Sequence, residues 1–344
     1  MENSLQWISK YKSALMGFAA WCILLFHEWQ PLLGGVPVLG ETEGFLKTIG
    51  FFGVDLFFFL SGLGLTYGIR KGSVGRFYWR RIKRLMIPAL VMALLRLWTD
   101  GWSLATLLKN LSGYAFFTEN IYAFLWFIPA VCTLYLLFPL YHKAMTRSGA
   151  PALFTAGVLL LWLVLTVFGH WRYDFYGFTN RIPVFLLGVL LGEQMQKEPR
   201  SLPKGAWIYG FLGLGAGLFL IHQVGIKGNF FLVPASNCFA PTLLLAVSSA
   251  FLLAMGLERV STNPFGRAIN RILSFFGGFS LEIYCVQEWL GEQLIPALTA
   301  KVPLFAVNLI NLILTMVAAF GLFWVQKYLW QWAEKAVKKC RPSL

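Results

Sequence analysis

A chain of 344 residues that is 58% hydrophobic and only 13% charged is not an ordinary soluble protein, because soluble domains carry about a quarter charged residues. A mean hydropathy of +0.65 and 14 Trp and 12 Tyr fit a bilayer protein with aromatic belts at both interfaces. The formal net charge of +14 needs no nucleic-acid partner, since membrane topology and anionic lipid account for it.

In chain order, Met1–Lys12 is polar, and no small-residue cleavage site follows the first apolar run. A cleaved signal peptide is therefore not expected. A span needs about 20 mostly apolar residues. Such runs cover 14–30, 46–67, 84–99, 121–141, 151–169, 181–196, 205–223, 239–257, 272–291 and 303–326. The pattern predicts an all-α polytopic membrane protein of about ten transmembrane helices with both termini cytoplasmic. No polar region between the runs is large enough to fold separately, so 1–344 reads as a single domain. The stretch 102–117 is also apolar and reads as an interfacial helix or part of an eleventh span. Pro31–Gly40 and Pro199–Gly205 are rich in the residues that punctuate loops.

Ten spans from an internal N-terminus place 22 of the 29 Lys and Arg residues on the cytoplasmic side. The other seven are Lys47, Arg96, Lys109, Arg172, Arg181, Lys227 and Lys301. That bias follows the positive-inside rule and puts the acidic loop of Glu41 and Glu43 outside. The five cysteines (Cys22, Cys132, Cys238, Cys285, Cys340) form neither a metal spacing nor a disulfide framework.

Ionisable groups inside spans carry the functional information, because each is costly in lipid. His27 and Glu28 sit near the outer end of the first span, Asp55 lies in the second, and Glu282 and Glu288 lie in the ninth. His27 has two readings: an interfacial imidazole anchoring the helix end, or a general base that takes a proton from a hydroxyl near pH 7. Glu28 would point about 100° away from it on a helix. Asp55 is either a structural charge pairing with a neighbouring helix or an orienting partner for the histidine. Packing with polar neighbours is the default for Glu282 and Glu288. One embedded histidine with nearby acids is too little for a metal site.

The run Arg76-Phe77-Tyr78-Trp79-Arg80-Arg81-Ile82-Lys83-Arg84-Leu85-Met86-Ile87-Pro88 places Arg76, Arg80 and Arg84 on one helical face. It reads as a positive anchor on anionic headgroups, or as a phosphate site, since Arg binds phosphate oxygens bidentately.

Several blocks together resemble the acyltransferase-3 family, bacterial membrane O-acyltransferases of surface glycans and lipids. They are Gly17–His27, Gly53-Val54-Asp55-Leu56-Phe57-Phe58-Phe59-Leu60-Ser61-Gly62, and the arginine run ending in Ile87-Pro88. Weaker matches are Leu125–Pro129, Arg181–Gly188 and Ser280–Tyr284, and all occur in the family's order. The resemblance implies a ten-helix core in the bacterial inner membrane. It implies transfer of an acyl group, acetyl by expectation, from cytoplasmic acyl-CoA to a hydroxyl of a glycan or lipid-linked sugar. His27 and Asp55 would be catalytic, and Arg76, Arg80, Arg81 and Arg84 would hold the phosphates of the donor. No metal is expected. Two positions depart from the family. Met16 stands where an arginine is usual, about 16 Å along the helix from His27, and Lys12, one turn earlier, is the candidate substitute. Gln287 stands where a histidine is usual, and it exchanges no proton at neutral pH. A glycan or lipid transporter, or a non-catalytic relative that kept the fold, are the alternatives.

Overall fold

The structure is a computed structural model that describes residues 3–27, 33, 36–119, 124–169, 176–197, 201–227, 240–299 and 301–340. Its helices are α1 (Gln6–Lys10), α2 (Lys12–His27), α3 (Pro37–Ile49), α4 (Phe52–Ile69), α5 (Val74–Thr99), α6 (Leu104–Leu111), α7 (Tyr114–Thr118) and α8 (Phe127–Arg147). They continue as α9 (Pro151–Gly169), α10 (Tyr176–Thr179), α11 (Ile182–Lys197), α12 (Ala206–Lys227), α13 (Ala240–Val260), α14 (Pro264–Gly278), α15 (Ser280–Thr299) and α16 (Leu304–Cys340). A two-residue antiparallel pairing joins Asn3–Ser4 to Ser201–Leu202.

Among the described residues, four helices are long and apolar enough to cross a membrane: Phe52–Ile69, Phe127–Arg147, Pro241–Val260 and Phe305–Lys335. Lys12–His27, Pro151–Thr166 and Ala206–His222 are apolar but shorter. Among the described residues, the apolar runs of the sequence fall largely on helix, with two interruptions. The run 46–67 crosses the break between α3 and α4, where a Cβ on Gly50 would stand 2.4 Å from the Cys22 carbonyl oxygen of α2. The run 272–291 crosses the junction of α14 and α15 at Phe279. The stretch 102–117 divides into α6 and α7. Eight residues of helix span only about 12 Å, so neither makes an eleventh span. Leu104 and Leu108 of α6 remain exposed.

Close helix approach is set by glycine. A Cβ on Gly62 would meet the Phe185 carbonyl oxygen at 2.2 Å, and one on Gly188 would meet that of Phe59 at 2.1 Å. These reciprocal gaps let α4 and α11 touch backbone to backbone, the way membrane helices gain contact without a hydrophobic drive. Gly17 and Gly277 play the same part between α2 and α14. Helix α4 is apolar nearly all round and correspondingly enclosed, with Phe58, Phe59, Leu60 and Leu63 fully buried. Helix α9 presents Leu153, Leu160 and Leu165 outward.

Polar contacts gather several helix ends at one end of the bundle. Arg70 after α4 and His142 of α8 both meet Glu193 of α11. Gln6 of α1 donates to the Met195 carbonyl, Lys10 pairs with Glu258 of α13, and Lys83 of α5 pairs with Glu334 of α16. At the opposite end of α5, Arg96 pairs with Asp100 and with Glu292 of α15.

Candidate active site

His27 closes α2, about 22 Å along the axis from Lys12, and its ring is exposed. The imidazole Nδ1 lies 3.1 Å from the Ile23 carbonyl oxygen, one turn back on the same helix. A carbonyl oxygen only accepts, so this contact favours the proton on Nδ1 and leaves the lone pair on Nε2. The Gln287 carboxamide on α15 stands 3.1 Å from the same Nδ1; an amide NH2 only donates, so beside an Nδ1–H the carboxamide turns its oxygen, which otherwise has no partner, to the ring. Phe26 packs edge-on to the ring, with centroids 5.1 Å apart. Glu28 lies outside the described residues.

Asp55 is not the group that meets His27: no hydrogen bond joins them among the described residues. Asp55 is 1% exposed, hydrogen-bonds Thr242 of α13, and faces the positive charge of Arg181. Its Oδ2 has no hydrogen-bond partner. Arg181 is buried just before α11, donates to the Gly177 carbonyl, and lies 5.3 Å from the Trp126 ring centroid. Beside it the N-terminus of α8 is capped by a side chain from α15: Phe127 N–H donates to the Tyr284 hydroxyl at 3.2 Å. Leu125, just before that terminus, holds a left-handed φ of 53°, costly for a branched residue. Blocks separated by up to 157 positions therefore meet in the bundle interior. Sequence reasoning named Arg181 and Tyr284 only within the weaker blocks. The sequence offered polar partners for Asp55 and Glu282 as one reading but gave no signal of which residues they would be.

The arginine run sorts into different environments. Ser73 caps α5 by accepting from the Arg76 N–H at 3.3 Å, and the Arg76 side chain is exposed. Arg80 donates to the Gly68 and Lys71 carbonyls, at 2.7 and 3.1 Å, tying α5 to the C-terminus of α4. Arg84 is paired with Glu282 of α15, whose side chain is fully buried, with Nη2 at 2.9 Å from Oε2. Arg81 lies over the rings of Phe77 and Tyr135. Pro88 has no N–H, so the Arg84 carbonyl loses its helical partner. The Gln326 carboxamide of α16 replaces it, donating to Arg84 O at 3.3 Å and accepting from Arg84 Nη1 at 3.1 Å. Between α5 and α16 opens a cleft of about 440 Å³ lined by Arg80, Lys83, Arg84, Gln326, Lys327 and Trp330. Among the described residues no group of three or more His, Cys, Asp or Glu is placed to hold a metal ion.

The arrangement puts an imidazole at one end of α2 and a basic, aromatic cleft at the opposite end of the bundle. Glu288 is half-buried one residue after Gln287. The profile of a family described as an acyltransferase domain matches residues 14–326. Neither a curated protein nor a solved structure matches the chain.

Proposed function

The chain belongs to the acyltransferase-3 family, and from that premise we propose that it moves an acyl group, acetyl by preference, from cytoplasmic acyl-CoA to a hydroxyl of a surface glycan or lipid-linked sugar. The observation that carries the reading is the separation of two chemistries: His27 at one end of α2 and the cluster of arginines at the other end of the bundle. Ten spans with both termini cytoplasmic, in a bacterial inner membrane, would put the arginines on the donor side and His27 toward the acceptor. In support, the segments expected on the cytoplasmic side touch one another through Lys10–Glu258, Arg70–Glu193 and Lys83–Glu334.

The donor phosphates engage some of Arg76, Arg80, Arg81 and Arg84, as charge-assisted bidentate contacts, and the acyl arm extends between the helices. Nε2 of His27 takes the proton of the acceptor hydroxyl as its oxygen attacks the thioester carbonyl. The C–S bond breaks, the thiolate of CoA leaves and is protonated, and an ester forms. Asp55, enclosed with Arg181 and Thr242, acts on this chemistry by organising the helices around it, because it does not reach the imidazole. The test is label transfer from radiolabelled acetyl-CoA into lipid and glycan fractions by membranes carrying the protein, beside His27→Ala membranes. Transfer that disappears in the variant supports the proposal. No transfer and no release of free CoA, across short acyl donors with acceptor lipids present, removes it in favour of transport or a non-catalytic role.

A further inference from the structure

Two contacts fix how α15 lies against α16. A Cβ on Gly291 would stand 3.8 Å from Asn311 Nδ2, and the Phe279 and Phe323 rings meet with centroids 6.3 Å apart. In this antiparallel register each turn up α15 matches one turn down α16. Gln287, one turn before Gly291, therefore comes level with Thr315, one turn after Asn311. Both side chains are sealed, Gln287 at 4% exposed and Thr315 at 1%. The Thr315 hydroxyl has no hydrogen-bond partner among the described residues, and neither has Asn311 Oδ1. The hydroxyls of Thr42, Thr48, Thr99, Thr118 and Thr133 each donate to the carbonyl four residues back. That outlet is open to a helical threonine, and Thr315 does not take it.

The demand on the facing side is complementary. With its oxygen turned to the Nδ1–H of His27, the Gln287 carboxamide points its NH2 away from the ring, and those two donors need acceptors. Thr315 Oγ1 and Asn311 Oδ1 are acceptors left over at this level of the bundle. Neither makes a direct hydrogen bond to the carboxamide, and a bound water closes such a gap in a sealed polar seam. Gly291 leaves the room for one. A Cβ there would meet nothing nearer than 3.7 Å, so a group of methyl size fits beside it.

We propose that Thr315 and Asn311 are positioning residues for His27: through one bound water they hold the N–H side of the Gln287 carboxamide, which keeps its oxygen on the imidazole. The consequence is a fixed tautomer. An amide that turned over would offer its NH2 to Nδ1, which then accepts. The ring proton would move to Nε2 and remove the lone pair that takes the proton of the acceptor hydroxyl. The Ile23 carbonyl resists that exchange from one side, and the seam with α16 resists it from the other. The effect on turnover rests on the acyltransferase reading; the tautomer does not.

The experiment is 15N NMR of the purified full-length protein in detergent, labelled in histidine, for wild type, Thr315→Val and Thr315→Ser, with His27→Ala to identify the signal. The imidazole shifts report which nitrogen carries the proton, and in wild type it should be Nδ1. Thr315→Val keeps the shape and loses the hydroxyl. It should cut the ratio of Nδ1–H to Nε2–H by roughly three- to tenfold, the weight of one neutral hydrogen bond. Acyl transfer by its membranes should lose turnover by a similar factor, with the KM for acyl-CoA unchanged. Thr315→Ser, which restores the hydroxyl, should rescue both. A packing role predicts the opposite order, because Ser loses a methyl that Val keeps. Asn311→Leu should move the tautomer in the same direction, and it decides the matter if Thr315→Val fails to accumulate. A wild type protonated on Nε2, a Thr315→Val ratio equal to that of wild type, or a Thr315→Ser shift as large as that of Thr315→Val overturns the proposal. Unchanged turnover in a variant whose tautomer has shifted overturns the positioning role. A tautomer shift in Thr315→Val, with no acyl transfer by any protein, supports the chain from α16 to His27 and overturns the acyltransferase reading instead.

Discussion

The carboxamide of Gln287 on α15 stands 3.1 Å from Nδ1 of His27 on α2, across 260 positions of sequence. The Ile23 carbonyl lies at the same distance from the same nitrogen, so one Nδ1–H is shared between the Ile23 oxygen and a Gln287 carboxamide turned oxygen-first, and Nε2 keeps the lone pair. Gln287 is a positioning residue in this arrangement, not a proton carrier. His27→Ala should abolish acyl transfer. Gln287→Leu should lower turnover by roughly tenfold, below the ~10²–10⁴-fold that a general base itself contributes, with the KM for acyl-CoA unchanged. Steady-state kinetics on membranes decide it; wild-type turnover in Gln287→Leu would remove the residue from the site.

Arg84 and Glu282 test the interior electrostatics. The Glu282 side chain is fully buried, so removing its only cationic partner among the described residues strands a carboxylate. Arg84→Met should destabilise by about 3–5 kcal/mol, read as a lowered melting temperature in detergent. Arg84→Met combined with Glu282→Gln should recover most of the loss, because the stranded charge is then absent. A single variant that melts with wild type contradicts the pairing.

The seam between α4 and α11 makes a packing prediction. Gly188→Ala places a Cβ about where the Phe59 carbonyl oxygen lies, and backbone cannot swing aside as a side chain does. It should cost about 1–3 kcal/mol. Gly157→Ala in α9, where a Cβ meets nothing within 4 Å, should be neutral or stabilise by up to about 1 kcal/mol through helix propensity. Thermal unfolding of the two purified variants should order them this way, and the reverse order would falsify the seam.

A pH prediction comes from the surface tie between α1 and α13. The Glu258 carboxylate, aided by Tyr11, holds the Lys10 ammonium above its ordinary value of 10.5 against a smaller opposing effect of burial. A raised folded pKa gives stability that is full below 10.5 and is lost as pH climbs through the folded value. Lys10 is half exposed, with 54% of its side chain accessible, so screening keeps the contribution below about 1 kcal/mol. Lys10→Met should therefore lower the melting temperature slightly and equally at pH 6 and pH 9. The difference should fade only at more alkaline pH. A gap that changes between pH 6 and 9 means another group is involved.

Much of the architecture was legible in advance, because a long apolar run in lipid satisfies its own backbone as a helix, and among the described residues these runs are largely helical. The breaks at Gly50 and Phe279 were not legible, since they depend on how closely α3, α4, α14 and α15 approach their neighbours. The arginine run was visible as a block, yet its members differ. Arg84 faces a buried glutamate 198 positions away, and Arg81 lies over aromatic rings. Asp55 read either as a structural charge pairing with a neighbouring helix or as a partner for His27, and the fold turns it toward Thr242 and Arg181.

The sequence by itself determined most of the helices, the bias of basic charge, and the presence of an embedded histidine and an arginine cluster, because hydropathy and residue chemistry are local. The tertiary structure decided which groups meet: Gln287 with His27, and Glu282 with Arg84. The reason is that each pairing joins faces of separate helices, and which faces meet is set by the glycine gaps and side-chain volumes of several elements at once.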